Sequence, residues 1–172
     1  AGLDLPVIRG LAEKCRKDVS AAGQAAMGGH TDVFDLLASE FGAWIGVDCL
    51  NGAAEWGQNA MIDLLVEEYG VDPNGVGGDG WTALHYAAIR GRVRTVKHLV
   101  EKYNVDIHKR DASPYGDGET ALDFAEKRGM TECAAVLRGY GATTGEPVEE
   151  EDWTESDDWD SDDSSDADHD VM

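Results

Sequence analysis

The chain has 172 residues, of which 35 are acidic and 14 are lysine or arginine, so its formal net charge is −21. This negative charge argues against direct nucleic-acid binding, because the chain would repel phosphates, and no run approaches the ~18 consecutive apolar residues of a membrane span. The three cysteines are far apart and form no disulfide framework, which favours an intracellular protein of the cytoplasm or nucleus, with an organelle as the alternative.

The first predicted elements are helical. Residues 3–16 form one short amphipathic pattern, and we expect residues 1–16 to be an N-terminal cap or a remnant repeat. Two phrases follow, Ala-Ala-Met-Gly-Gly-His at residues 25–30 and Ala-Ala-Glu-Trp-Gly at residues 53–57. Each precedes an apolar stretch with helical spacing, so each predicts a helix, a glycine turn and a second helix.

A longer phrase occurs twice further along the chain. Asp-Gly-Trp-Thr-Ala-Leu-His-Tyr-Ala-Ala-Ile-Arg-Gly at residues 79–91 returns as Asp-Gly-Glu-Thr-Ala-Leu-Asp-Phe-Ala-Glu-Lys-Arg-Gly at residues 117–129. Self-similarity of this kind indicates an array of one supersecondary unit. In both copies Asp-Gly predicts a tight turn, and the threonines, Thr82 and Thr120, are placed to cap the following helix.

These phrases resemble the ankyrin repeat, a unit of about 33 residues built from a β-turn and two antiparallel helices. Ala83 and Ala121 stand where the family pattern has proline. The resemblance implies an all-α solenoid of helix-turn-helix units joined by β-turn or hairpin loops, with about four repeats in residues 17–142. It also implies that His85 makes structural hydrogen bonds between turns and repeats.

The C-terminal segment is predicted to be a disordered acidic tail, residues 143–172. Its last 27 residues contain 14 acidic side chains and no lysine or arginine, which accounts for two-thirds of the net charge. Trp153 and Trp159 interrupt this acidic run. The tail is either a solubilising segment or a recognition segment, in which charge steers a basic partner and the tryptophans anchor it.

Motifs for catalysis and cofactors are weak. Residues 75–80 satisfy the dinucleotide pattern G-x-G-x-x-G, but no strand precedes them, so we interpret them as a turn between repeats. No Cys/His pair has zinc-finger spacing, and no serine or cysteine has a catalytic signature. We therefore expect no enzyme activity, no cofactor and no metal site.

The resemblance implies a protein-binding surface on the concave side of the array. Carried over position by position, and with the tail tryptophans added, the predicted partner-binding residues are Trp56, Trp81, Ile89, Arg90, Glu119, Lys127, Arg128, Trp153 and Trp159. The alternative for the two array tryptophans is packing: Trp56 beneath an irregular turn, and Trp81 over the neighbouring hairpin.

The sequence is compatible with two functions. One is an adaptor or assembly factor that binds another protein through the groove and tail, in a specialised form a chaperone for a basic client. The other is a structural, targeting or regulatory subunit of a larger complex. A further alternative is that the tail folds back onto a basic spot formed by Arg90, Lys127 and Arg128, with Lys109 and Arg110 nearby.

Overall fold

The computed structural model describes residues 20–113 and 118–145. This part of the chain contains eight α-helices in four consecutive pairs, and it contains no β-strand. The helices are α1 (Ser20–Gly28), α2 (Thr31–Phe41), α3 (Val47–Trp56), α4 (Asn59–Asp63), α5 (Ala83–Ile89), α6 (Val93–Tyr103), α7 (Ala121–Lys127) and α8 (Thr131–Gly139), and α4 continues into one π-helical turn, Leu64–Glu68. The predicted all-α fold is confirmed.

Each helix pair turns at the glycine that the repeated phrases predict. Gly29, Gly57, Gly91 and Gly129 follow the first helix of their pairs and have φ values of 69°, 79°, 66° and 69°. Only glycine adopts this left-handed conformation without a steric cost, so the same residue is needed at every turn.

The first helices of the four pairs form one inner row. Helix α1 packs against α3, α3 against α5, and α5 against α7. Alanines fill these contacts, which lets the helix backbones approach closely, while larger apolar side chains from the outer helices complete the core. Fully or almost fully buried members of this core include Ala26, Phe34, Leu50, Ala53, Ala54, Met61, Ile62, Leu65, Ala87, Ala88, Leu99, Ala125 and Leu137.

The loops that join successive pairs follow the turn predictions. Residues 75–80 form the connection between the second and third pairs, where Gly77 N donates to Trp81 O at 2.8 Å and Gly80 N to Gly77 O at 3.0 Å. The next loop lies beside it, because Ala112 N donates to Gly80 O at 2.9 Å. The G-x-G-x-x-G pattern is thus a turn between repeats.

Two side-chain caps begin the inner helices of the third and fourth pairs. At α7 the Thr120 hydroxyl accepts from Asp123 N at 3.4 Å, and Thr120 N donates to the Asp123 carboxylate at 2.7 Å. This reciprocal pair is a capping box. At α5 the corresponding partner of Thr82 is His85, whose Nδ1 accepts from Thr82 N at 3.2 Å.

His85 also joins the third repeat to the fourth. Because Nδ1 accepts a backbone N–H, the neutral ring carries its proton on Nε2, which lies 3.3 Å from the Glu119 carbonyl oxygen. Burial lowers the pKa of His85 below its ordinary value of 6.5, and the nearby Asp111 carboxylate opposes this effect. The structural role that the resemblance implies for this histidine is confirmed.

We expect His85 to make stability depend on pH. Its lowered folded-state pKa means that its contribution is fully present above about pH 6.5, the unfolded value, and is lost as the pH falls towards the folded pKa. Urea unfolding of the wild type and of His85→Gln between about pH 7.5 and pH 5 tests this. The stability advantage of the wild type should shrink on acidification, and a constant difference across this range would rule the effect out.

Some predicted segments lie outside the described residues. These are the N-terminal cap (residues 1–16) and the acidic tail from residue 146 onwards, including Trp153 and Trp159. Among the helices that are described, none is long and apolar enough to cross a membrane.

Candidate partner-binding groove

The inner helices α1, α3 and α5 border an open pocket of about 300 Å³. We call it the acidic groove, and its lining residues are Met27, Asp48, Asn51, Gly52, Glu55, Gly78, Asp79 and Tyr86. Three of these eight residues carry a carboxylate.

Helix α3 supplies one side of the acidic groove. Asp48, Asn51, Gly52 and Glu55 are spaced three, four and seven residues apart, which places them on one face of the helix. Gly52 lies where a side chain would contact Met27 of α1. The opposite face carries the buried Leu50 and Ala54, so packing of the core fixes which residues point into the groove.

The loop before α5 supplies the other side. The Asp79 carboxylate accepts hydrogen bonds from the Tyr86 hydroxyl and from Trp81 N, the latter at 3.2 Å. Burial raises the pKa of Tyr86, and the carboxylates of Asp79, Glu55 and Asp48 raise it further. The Tyr86 hydroxyl therefore stays protonated and donates to Asp79.

Asn51 is the buried polar residue of the groove, with 4% of its surface exposed. Its Nδ2 donates to Trp81 O at 3.2 Å, which fixes the orientation of the carboxamide. Its Oδ1 is buried, and no donor among the described residues bonds to it. An unpaired buried acceptor costs about 1–3 kcal/mol, so this atom is a local cost to the stability of the fold.

Two carboxylates converge beside this amide. A methyl group placed on Gly77 would lie 3.0 Å from Asp79 Oδ1, 3.1 Å from Asp48 Oδ1 and 2.6 Å from Asn51 Nδ2. Within residues 20–113 and 118–145, no lysine, arginine or histidine forms an ion pair with Asp48 or Asp79. The same part of the chain contains no group of three or more His, Cys, Asp or Glu that could hold a metal ion.

Two of the predicted binding residues are connected with Glu55 of the acidic groove, Trp56 as its neighbour in the chain and Arg90 by a hydrogen bond. Trp56 ends α3 directly after Glu55, and 53% of its surface is exposed. Arg90 follows α5, and its Nε donates to Glu55 Oε1 at 2.8 Å. Ile89, the neighbour of Arg90, is half-buried. Arg90 thus links the predicted binding residues to the acidic groove.

Trp81 does not line the acidic groove, but it contacts residues that do. Its indole is half-buried and packs against Phe124 of the fourth repeat, with ring centroids 4.6 Å apart, and against Tyr86 at 5.3 Å. This arrangement favours the packing alternative, in which Trp81 covers the neighbouring hairpin. Its backbone carbonyl accepts a hydrogen bond from Asn51, so Trp81 holds the side chain of this lining residue in place.

The predicted residues of the fourth repeat do not line the acidic groove. Lys127 forms an ion pair with Glu119, and Arg128 is exposed at the end of α7. Since Arg90 is paired with Glu55 in the same way, two of the three cations of the predicted basic spot already have acidic partners. This weakens the idea that the tail folds back onto that spot.

Sequence reasoning missed most of the groove lining. The sequence predicts Asp79 only as the first residue of a turn, and it gives no binding role to Asp48 or Asn51. The helical spacing of Asp48, Asn51 and Glu55 was the available signal, because three polar residues recur on one face of an otherwise apolar helix.

The two array tryptophans should respond differently to replacement by alanine. Trp81→Ala should lower the free energy of unfolding by about 2 kcal/mol, because it removes a half-buried ring from Phe124. Trp56→Ala should change stability by less than about 0.5 kcal/mol, since the ring is largely exposed. Denaturant unfolding of both variants checks this; equal losses would place Trp56 in the core or Trp81 outside it.

Comparison with known proteins agrees with this architecture. A stretch of 100 residues is 37% identical to part of the E3 ubiquitin-protein ligase Ufd4 of Drosophila melanogaster, and it covers 56% of this chain but 3% of that protein. The chain thus spans only a small part of this relative. The family model for ankyrin repeats, in three copies, matches residues 50–146, which is more than half of the chain. Ankyrin repeats imply protein–protein interaction, and the chain belongs to the ankyrin-repeat family.

Proposed function

We propose that the chain is a non-enzymatic protein-binding adaptor or assembly factor whose acidic groove takes a basic segment of its partner. The observation that carries this proposal is that Asp48 and Asp79 line one open pocket and that neither has a paired cation among the described residues. Adjacent carboxylates repel one another, so a basic partner would relieve this repulsion while gaining charge-assisted hydrogen bonds.

The acidic tail extends the same electrostatic preference. With 14 acidic residues and no lysine or arginine in residues 146–172, it would attract a basic partner over longer distances and raise the association rate. A groove for contact and a tail for steering suit a chaperone of a basic client, and we propose this as the specialised form of the function.

The two described cysteines support a role without catalysis. Cys49 and Cys133 are both free and buried, and burial raises the pKa of each thiol, to about 11 for Cys133. Reactive cysteines have the opposite environment, with a lowered pKa and access to solvent. Free buried thiols also accord with the proposed intracellular location.

Affinity purification with the full chain tests the proposal. The comparison uses the wild type, the double variant Asp48→Asn/Asp79→Asn and Asp32→Asn. Asp32 is the matched control because it lies in the first turn of α2, as Asp48 does in α3, but does not line the groove. A fourth sample, which lacks residues 146–172, reports on the tail.

We expect a partner of high pI that the wild type and Asp32→Asn recover equally and the double variant recovers poorly. Loss of the tail should reduce recovery most at low salt, and the difference from the full chain should shrink as salt rises, because salt screens the longer-range attraction. Recovery of acidic or neutral partners that is unaffected by the double variant would contradict the proposal.

A further inference from the structure

Two exposed apolar side chains lie in successive connections between the helix pairs. Among the described residues four large hydrophobic side chains are exposed, and two of them are Trp44, at 54%, and Val76, at 38%. Trp44 lies between α2 and α3, and Val76 lies between the second and third pairs. The other two, Val33 and Trp56, lie within α2 and at the end of α3.

A series of contacts joins these two connections. The ring of Trp44 lies against Gly46, in the space that a side chain at residue 46 would occupy. The next residue, Val47, lies against Gly75 in the same way, and Gly75 directly precedes Val76. We call the surface formed by Trp44, Val47 and Val76 the apolar edge.

The apolar edge adjoins the acidic groove. Asp48 follows Val47 in the chain, and Gly77 follows Val76. A methyl group on Gly77 would lie 3.1 Å from Asp48 Oδ1 and 3.0 Å from Asp79 Oδ1, so both carboxylates come within one residue of the apolar edge. Since successive residues of a bound chain are about 3.8 Å apart, a segment that contacts these carboxylates can place a neighbouring side chain on the apolar edge.

We infer that the apolar edge binds a large apolar side chain of the partner, beside the basic residues that the acidic groove takes. The inference rests on the proposed function and makes the partner segment amphipathic, with an apolar side chain within about two residues of a lysine or arginine. Exposed apolar side chains that are contiguous and bordered by polar residues mark interaction sites, and tryptophan is enriched among the residues that dominate binding. A uniformly basic segment would leave Trp44 and Val76 in water.

The charges beside the apolar edge favour a basic occupant over the chain's own acidic tail or a second copy. Asp48 and Asp79 have no ion-pair partner among the described residues. They would repel residues 146–172, which contain 14 acidic side chains and no lysine or arginine. A second copy, with a net charge of −21, would be repelled for the same reason. A partner segment that is both apolar and basic avoids this repulsion.

NMR titration of the full-length protein with two peptides tests the inference. The first peptide is acetyl-Gly-Lys-Lys-Leu-Leu-Lys-Lys-Gly-amide, and the second has serine in place of both leucines, so the two peptides carry the same charge. The signals followed are the indole N–H of Trp44 and the backbone amides of Val76 and Gly77. The proteins are the wild type, Trp44→Ala, Val76→Ser and the control Val33→Ser, which replaces an exposed valine on α2.

We expect the leucine peptide to shift the Trp44 and Val76 signals saturably and to bind the wild type at least about fivefold more tightly than the serine peptide. Trp44→Ala and Val76→Ser should remove most of this preference, whereas Val33→Ser should keep it. Equal affinity of the wild type for the two peptides would overturn the inference. A preference that survives both substitutions, or no saturable shift at millimolar peptide, would overturn it as well.

Denaturant unfolding shows whether the variants remain folded. Because both replaced side chains are exposed, Trp44→Ala and Val76→Ser should unfold at nearly the same denaturant concentration as the wild type. If Trp44→Ala does not fold, Val76→Ser still reports on the apolar edge.

Two measurements without peptide identify the other occupants. A shift of the Trp44 signal on deletion of residues 146–172 would mean that the tail covers the apolar edge. A shift with protein concentration would mean that a second copy covers it. Either result would overturn the inference.

The inference and the proposed function fail separately. If recovery of the partner depends on Asp48 and Asp79 but not on Trp44 or Val76, the apolar edge is not a contact and the basic-partner proposal stands. If recovery does not depend on those carboxylates, the proposed function fails whatever the peptides do.

Discussion

Gly80→Ala should lower the free energy of unfolding by about 3 kcal/mol, the largest expected effect of a single methyl group in this chain. Gly80 is buried and has a φ of 87°, so the backbone of an alanine at this position would be strained even without any steric contact. Its Cβ would also lie 2.5 Å from the carbonyl carbon of Ala112 and would collide with the backbone of Ser113. Backbone atoms cannot rotate away, so the two neighbouring loops would have to separate.

Gly70→Ala is the matched control for this prediction. Gly70 has a φ of 67°, but an added Cβ would meet nothing within 4 Å. It should therefore show only the conformational cost, about 1 kcal/mol. Denaturant unfolding of both variants gives the comparison, and equal losses at the two positions would mean that the contact between the loops contributes nothing.

Asp48→Lys should weaken the affinity for the basic partner by about 10- to 100-fold, which corresponds to about 1.4–2.7 kcal/mol of binding free energy. The substitution replaces an attractive charge in the acidic groove with a repulsive one. Asp48 is exposed and makes no ion pair within the described residues, so the fold should tolerate the change. Calorimetric titration with the partner recovered by affinity purification measures the loss.

Asp32→Lys controls for the helix itself. Both residues lie in the first turn of a helix, where an acidic side chain interacts favourably with the helix dipole and stabilises the helix by about 0.3–1 kcal/mol. Both variants should therefore lose a similar, small amount of stability. If they also bind the partner equally, the groove is not the contact surface.

Much of the fold could be predicted because the same residue pattern recurs in successive repeats. The glycine that ends each phrase must have a positive φ wherever the chain makes the same turn, so Gly29, Gly57, Gly91 and Gly129 mark four helix pairs. The capping threonine of the fourth repeat was predictable for a similar reason, since Thr120 and Asp123 need only local geometry. Local interactions of this kind leave a readable pattern in the sequence.

The position of Trp81 could not be predicted in the same way. Whether its ring meets solvent or a neighbour depends on how close the next loop lies. That distance is set by contacts such as the hydrogen bond from Ala112 N to Gly80 O, between residues more than thirty positions apart. The ring consequently packs on Phe124, a residue that the sequence gives no reason to pair with it.

The candidate site was predictable only in part. The helical spacing of Asp48, Asn51 and Glu55 places polar groups on one face, but it does not reveal that Asp79 turns towards them. The orientation of the Asn51 amide depends on the carbonyl of Trp81, thirty residues later, and no local pattern encodes it. Arg90 contacts Glu55 of the groove, and its place in the chain is predictable because the repeat fixes it relative to the turn glycine. That Trp56 and Arg90 bind a partner stays a prediction.

The salt dependence of partner binding shows whether Asp48 and Asp79 form the contact surface for a basic partner. The dissociation constant is measured by titration at several salt concentrations for the full-length wild type, Asp48→Asn/Asp79→Asn and Asp32→Asn. We expect weaker binding and a flatter dependence of the dissociation constant on salt for the double variant, since fewer charges pair across the interface. Asp32→Asn should behave as the wild type does. A double variant that binds with the affinity and salt dependence of the wild type would contradict this expectation.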